Sequence, residues 1–288
     1  MPGTWPSDRA TARRAGERVQ RYLLDGGDDD LKRLLGLAEA HGEMARTALR
    51  RSGIAPGWNV VECGCGPVGA LVQLAELVGD TGQVTGVDLN PAAVDRARSV
   101  AAALGLGNVR ALVADVHDLE AGDAGGPFDL AYTRLLLVHQ PDPGRTLRQI
   151  AGLVKPGGWL ITQEPLAQPL PRSFPDLDAV GAAWGLMADL VERSGVPSGA
   201  AERLPQWAAA AGLEVVRMDG SFSFGPPEAY FGLYASALTA MRERAVGAGL
   251  TTGQDIDAIV ASLTAAQPAA YEWVTSPSYL DLTLRKPA

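Results

Sequence analysis

Val60-Val61-Glu62-Cys63-Gly64-Cys65-Gly66-Pro67-Val68-Gly69 decides how this 288-residue chain is read. An apolar run ends in an acid, enters a loop of closely spaced glycines, and leads into a predicted helix. Glycine reaches backbone angles that other residues avoid and lets a ligand approach the main chain. A helix opening at such a loop turns unpaired N–H groups and the positive end of its dipole toward whatever the loop holds. The turn therefore suits a nucleotide-like ligand. Gly64, Gly66 and Gly69 match the dinucleotide pattern G-x-G-x-x-G literally. Glu62 points elsewhere, because a carboxylate just before the first glycine repels a pyrophosphate. It attracts an ammonium or a sulfonium.

Further strands follow in order. Gln83–Asp88 ends in an acid about 20 residues past the glycines, the spacing of a ribose-binding carboxylate. Val109–Val116 contains Asp115 near its end, and Phe128–Tyr132 leads into Thr133 and Arg134. Leu153–Leu160 reads as a helix end, a Pro156-Gly157-Gly158 turn and a fifth strand. Helices are predicted between them over Pro67–Val78, Pro91–Leu104 and Arg145–Val154, with Pro67 and Pro91 at first-turn positions. Alternation of this kind implies a parallel sheet with helices on both faces and ligands at the C-terminal strand ends.

This series, over roughly Gly57 to Glu164, resembles the class I S-adenosylmethionine (SAM)-dependent methyltransferases, particularly the quinone-biosynthesis and small-molecule branch. SAM carries an ammonium and a sulfonium and no phosphate, which suits Glu62. The resemblance implies an α/β, Rossmann-like, seven-stranded, mostly parallel sheet with N-terminal helices and a helical lid. It implies SAM as cofactor and S-adenosylhomocysteine (SAH) as product. Gly64, Cys65 and Gly66 would admit the cofactor, with Glu62 near its methionine portion. Asp88 would accept from the ribose hydroxyls, Leu89 would pack on the adenine, Asp115 would accept the adenine amino hydrogen, and Val116 would flank the ring. Thr133 and Arg134 would lie at the methionine end. Asp88 as a helix cap, Asp115 as a turn residue and Arg134 as a surface ion-pair partner are the alternatives.

Catalysis is harder to place. Methyl transfer from SAM needs alignment and water exclusion, with a base only where the nucleophile must lose a proton. His139 is the candidate base, with a structural hydrogen-bonding role as its alternative. His117 reads as an adenine-side neighbour, and His41 as a residue either at the mouth of the site or on the surface. After Glu164 the pattern changes to the proline-rich Pro165–Pro171, predicted helices over Asp176–Ser194 and Ala200–Ala211, a strand over Leu213–Met218, a helix-rich stretch over Pro227–Ala266, and a last strand near Tyr279–Leu284. Trp184, Met187, Tyr230 and Tyr234 are the expected substrate-binding residues, with burial of the lid against the core as the alternative. The implied organisation is an N-terminal cap over 1–52, including helices over 9–24 and 28–51, a SAM-binding core over 53–165, and a lid over 166–288 carrying the last two strands.

Composition restricts the partners. At 47% hydrophobic, the chain can bury a large core. A net charge of −8, with its one basic cluster (Arg9 to Arg21) interrupted by acids, argues against nucleic acid. No apolar run approaches a membrane span, and Met1–Trp5 lacks an export signal, so a cytoplasmic enzyme is expected. The only cysteines, Cys63 and Cys65, are too close for an unstrained disulfide, and no metal site is expected. Tyr132-Thr133-Arg134-Leu135 is not the Asn/Asp-Pro-Pro-Tyr turn of the adenine-N6 and glutamine methyltransferases. Neither a carboxylate trio for Mg²⁺ nor the paired glutamates of the protein-arginine enzymes is evident. The expectation is methyl transfer to a largely apolar or aromatic small molecule of secondary metabolism by a homodimer. The alternatives are a SAM-binding protein that catalyses a non-methylating reaction such as a cyclisation and, more remotely, an NAD-dependent oxidoreductase.

Overall fold

A computed structural model describes residues 41–67, 69–197 and 199–288. The helix predicted over 9–24, and most of that over 28–51, lie outside these residues. Residues 41–51 are helical.

Strands β1 (Asn59–Cys63), β2 (Gln83–Asp88), β3 (Val109–Val113), β4 (Phe128–Arg134) and β5 (Val154–Pro165) alternate with helices α1 (Leu71–Val78), α2 (Pro91–Ala103) and α3 (Pro143–Leu153). Chain order then gives β6 (Ser173–Phe174), α4 (Asp178–Arg193), α5 (Ala200–Ala210), β7 (Glu214–Ser221), β8 (Phe224–Gly225), α6 (Pro227–Gly247), α7 (Gly253–Ala265), β9 (Trp273–Thr275) and β10 (Tyr279–Arg285). The main sheet has seven strands in the order β3-β2-β1-β4-β5-β10-β7. Strands β1 to β5 pair in parallel, and β10 is antiparallel to both its neighbours.

Both faces of the central parallel strands are buried, as a parallel sheet covered by helices requires, while the edge strand β7 is largely exposed. Val61 and Cys63 pack with Leu147 and Ile150 of α3 and Leu204 of α5. Val60, on the opposite face, packs with Leu74 and Val78 of α1, Val94 of α2 and Leu49. A separate apolar cluster joins α4, α6 and α7 through Met187, Tyr234, Met241 and Leu263.

Several boundaries differ from the sequence reading. Pro91 is the first residue of α2, behind an Asn90 cap whose side chain accepts from Ala92 N–H. Pro67 is not in the first turn of α1: that helix starts at Leu71, and Pro67 lies in the loop before it. The Pro156-Gly157-Gly158 turn falls inside β5, which pairs Val154 with Phe128 and shifts register before Trp159 meets Leu130. The stretch after Pro227 is two helices, the second opened by a capping box between Thr252 and Asp255. The small antiparallel sheet β6-β9-β8 was not foreseen, because strands of two or three residues carry too little periodicity to be read.

Candidate active site

The site forms at the C-terminal ends of β1 to β4. Gly64 and Cys65 N–H both donate to the Val87 carbonyl, at 2.8 and 3.0 Å, which ties the glycine loop to β2. Glu62 turns back over this loop and accepts the Ala70 N–H with both carboxylate oxygens, at 2.8 and 2.9 Å. Ala70 caps α1, so the carboxylate sits where the helix dipole favours negative charge. Gly69, with φ +52°, lies beneath it. A Cβ there would stand 2.4 Å from the Cys65 carbonyl oxygen and 2.5 and 2.7 Å from the Glu62 oxygens. Gly66 is also left-handed, at φ +57°, but a Cβ there would meet nothing within 4 Å.

Asp88, at the end of β2, accepts from Gly66 N–H at 2.8 Å and Asn90 N–H at 2.9 Å. One carboxylate thus fixes the height of the glycine loop and the start of α2. Asp115 lies two residues past β3 and accepts the His117 N–H at 2.9 Å. Arg134 ends β4 and donates to the His41 carbonyl at 3.3 Å. Leu135 then takes φ +55°, an unusual angle for a branched side chain, and turns the chain out of the sheet. Glu164, fully buried near the end of β5, gathers the next amides, accepting from Leu136, Leu137 and Val138 N–H at 3.2, 3.0 and 3.3 Å. This holds the 3-10 turn Leu137–His139.

Burial sets the electrostatics. It raises Glu62 to about 8, against the Ala70 hydrogen bond and the Arg134 charge. Burial likewise raises Asp88, against its backbone hydrogen bonds, and lifts Glu164 to about 7. Cys63 and Cys65 are buried and free, and burial pushes the Cys63 thiol up to about 12. They are small packing groups rather than nucleophiles.

These elements surround one cavity of about 1060 Å³. Glu62, Gly64, Cys65 and Gly66 line it beside Asp88 and Leu89. Asp115, Val116, Arg134 and His139 continue the wall. Trp184 and Met187 from α4 and Tyr234 from α6 form the opposite side. Thr133 and Tyr230, both expected in the site, are not in its lining. The Thr133 side chain is buried within the sheet, because alternation along β4 turns it away from the opening. The Tyr230 hydroxyl pairs with Ser223 at 2.7 Å inside the α6 cluster. His41, for which the sequence left surface and mouth open, is fully buried, lines the cavity and meets the Tyr279 ring edge-on at 5.0 Å. Met241, on the helix face expected to line a pocket, also lines it, as do Tyr279 and Leu136, which were not singled out because their places depend on how distant elements dock.

A parallel sheet of this strand order, with the antiparallel β10 inserted beside its last strand and an acid-rimmed glycine loop at the strand ends, is the class I SAM-dependent methyltransferase fold. A model of the methyltransferase-domain family matches residues 54–208, more than half of the chain, and the chain belongs to that family. An O-methyltransferase of Penicillium expansum, cnsE, is 34% identical over 162 residues, covering 55% of this chain and 48% of that protein. Aklanonic acid methyltransferase DauC of Streptomyces sp. strain C5 is 31% identical over 110 residues, covering 38% of this chain and 49% of that protein. The matches thus span about half the length of these curated relatives. Among solved structures, the [4+2]-cyclase SpnF superposes with a TM-score of 0.54 at 20% identity, over 87% of this chain and 83% of that one, a likeness of fold. No helix among the described residues is long and apolar enough to cross a membrane.

Proposed function

We propose that this chain binds SAM at the glycine loop and transfers its methyl group to a largely apolar or aromatic small molecule of secondary metabolism. The observation that carries the reading is a single cavity with two unlike walls. One is acid-rimmed and built from strand ends. The other is apolar and built from α4 and α6. At about 1060 Å³ it is at the upper end of the ~300–1000 Å³ usual for ligand pockets, which suits a cofactor and an acceptor together.

The residues present fit the cofactor. Gly66 leaves open space where any other residue would place a Cβ. The Asp88 oxygens each have lone pairs beyond their backbone bonds, as a vicinal diol requires. Glu62 and Arg134 offer opposite charges to the two ends of an amino-acid group. Bound there, SAM supplies an activated methyl group on a good leaving group. The chain has to align the acceptor and exclude water. Trp184, Met187 and Tyr234 serve that exclusion. His139, held by the Glu164-anchored turn, takes a proton from acceptors that must lose one.

The test is calorimetric titration with SAM, SAH and NAD⁺, followed by a screen of phenolic and quinone-like acceptors for SAH release. Binding of NAD⁺ alone would overturn the cofactor. Conversion of an acceptor with SAM bound and no SAH released would replace methyl transfer with a rearrangement such as a cyclisation. The names of cnsE, an O-methyltransferase, and DauC, an aklanonic acid methyltransferase, favour methyl transfer, the latter to a small molecule.

A further inference from the structure

We infer that the Tyr279 hydroxyl holds the acceptor molecule by donating to a carbonyl oxygen on it. The inference rests on the SAM reading above and adds a specificity-determining residue on the acceptor's side of the site.

The strand order gives Tyr279 its place. Asp115, Asp88, Glu62 and Arg134 follow one another at or just past the ends of β3, β2, β1 and β4. Tyr279 begins β10, where it pairs with Pro165 at the end of β5. Strand β10 lies two strands past β4, about 10 Å at the usual strand spacing. A cofactor laid along the acids, with its amino-acid end between Glu62 and Arg134, therefore stops short of it. Tyr279 interacts electrostatically with Arg134 and, from α6, with Tyr230 and Tyr234. It stands where the two walls of the cavity meet.

Its hydroxyl is the one that the surrounding fold leaves unused. Tyr132 donates to Gln163, Tyr230 pairs with Ser223, and Tyr234 donates to the Thr275 carbonyl. No described residue forms a hydrogen bond with the Tyr279 hydroxyl. Tyr279 is 1% exposed and lines the cavity. Its oxygen is not among the unpartnered polar atoms sealed from solvent, so the hydroxyl opens on the cavity. The edge-on contact with the His41 ring packs the phenol in place.

The chemistry of the ligand group follows. Burial raises the hydroxyl's pKa, against the Arg134 charge, so Tyr279 keeps its proton and acts as a donor. Water can serve such a donor only until an acceptor molecule displaces it. A molecule with no lone pair at that point would leave a buried hydroxyl unpaired, which is how a polar group in an apolar site rejects an analogue. The Arg134 cation nearby favours an oxygen that only accepts, as a carbonyl does, over a hydroxyl that must also place a hydrogen. The apolar wall of α4 and α6 suits the rings that carry it.

The experiment uses the full chain saturated with SAH and two probes, 1-tetralone and tetralin, which differ by one carbonyl oxygen in place of two hydrogens. Calorimetry compares the wild type with Y279F. The substitution should weaken 1-tetralone at least about fivefold, the worth of a hydrogen bond, and leave tetralin unchanged or tighter. SAH affinity should stay within about twofold. Y279F should melt no lower than the wild type, because no hydrogen bond within the fold is lost. Equal effects on the two probes, or a wild type that takes up no 1-tetralone, would overturn the inference. A loss of SAH affinity would overturn it too, by assigning the hydroxyl to the cofactor, and so would a lower melting temperature, by showing a partner within the protein. A wild type that binds no SAH would sink the cofactor reading, and the two probes, titrated without SAH, would still decide the role of Tyr279.

Discussion

The strand-end wall of the cavity is held by main-chain amides donating to carboxylates, whereas the wall from α4 and α6 is held by packed apolar side chains. Asp88 accepts two backbone N–H groups and Glu164 three, Glu62 accepts one with both of its oxygens, and each thereby fixes a loop. Across the cavity, Met187, Tyr234 and Met241 belong to a cluster whose shape depends on how three helices meet. The first wall is directional and tolerates little change. The second is set by volume and can be reshaped without losing the fold, as small-molecule specificity requires.

The sharpest way to break this contrast is at Gly69. G69A would drive a Cβ into the Cys65 carbonyl and the Glu62 carboxylate while forcing alanine to φ +52°. We expect loss of SAH binding and a melting temperature lower by several degrees. G66A, which meets open space, should cost only the left-handed backbone, about 1–2 kcal/mol. Equal melting temperatures for the two would show that the packing under Glu62 is unimportant.

Next in size is D88A, which removes a carboxylate that two amides already use. SAH affinity should fall about 10- to 100-fold by calorimetry, the worth of charge-assisted hydrogen bonds. W184A, on the other wall, should leave SAH affinity within about twofold while raising KM for the acceptor. Trp184 donates to the Leu166 carbonyl at 3.3 Å, so some stability goes with it. Parallel losses of SAH binding in both variants would erase the division between the walls.

Protons give a third measure. Burial lifts Glu62 to about 8 and Glu164 to about 7, both above the ordinary 4.5 of an exposed glutamate. A carboxyl raised on folding favours the native state below its unfolded pKa and loses that contribution as pH rises through the folded value. The ligand-free protein should therefore melt at progressively lower temperature from about pH 4.5 to about 8, and E62Q should flatten the slope. A cationic ligand beside Glu62 favours its ionised form, so SAM binding at pH 7 should release protons. Binding heats that vary with the ionisation heat of the buffer would register this release, and E62Q should abolish it. Heats independent of buffer would mean that Glu62 does not feel the ligand's charge.

The smallest effect is expected at Tyr234, whose hydroxyl donates to the Thr275 carbonyl at 3.1 Å. Y234F should cost about 1 kcal/mol in stability and leave SAH affinity unchanged. A loss of SAH binding would place this tyrosine on the cofactor side of the cavity.

Legibility followed the same division. The glycine loop, Asp88 and Asp115 could be read because each sits within a few residues of the strand that aims it, and local geometry does the aiming. The parallel sheet covered by helices was readable from the alternation of strands and helices, and the two late strands that complete it from the resemblance, whereas the strand order came from the structure. Pro67 misled because a proline in a loop and one at a helix start look alike in sequence. Tyr230 misled because its helical spacing with Tyr234 matched a shared face, yet its hydroxyl had a partner in Ser223 that periodicity cannot reveal.

The amino-acid order by itself determined the sheet, the acid-rimmed loop and the family, since period, turn chemistry and strand-end acids are all local properties. Only the tertiary structure decided that His41 is buried against Tyr279 and that Glu164 anchors the turn carrying His139. These depend on contacts between residues as much as 238 positions apart, which only packing brings together.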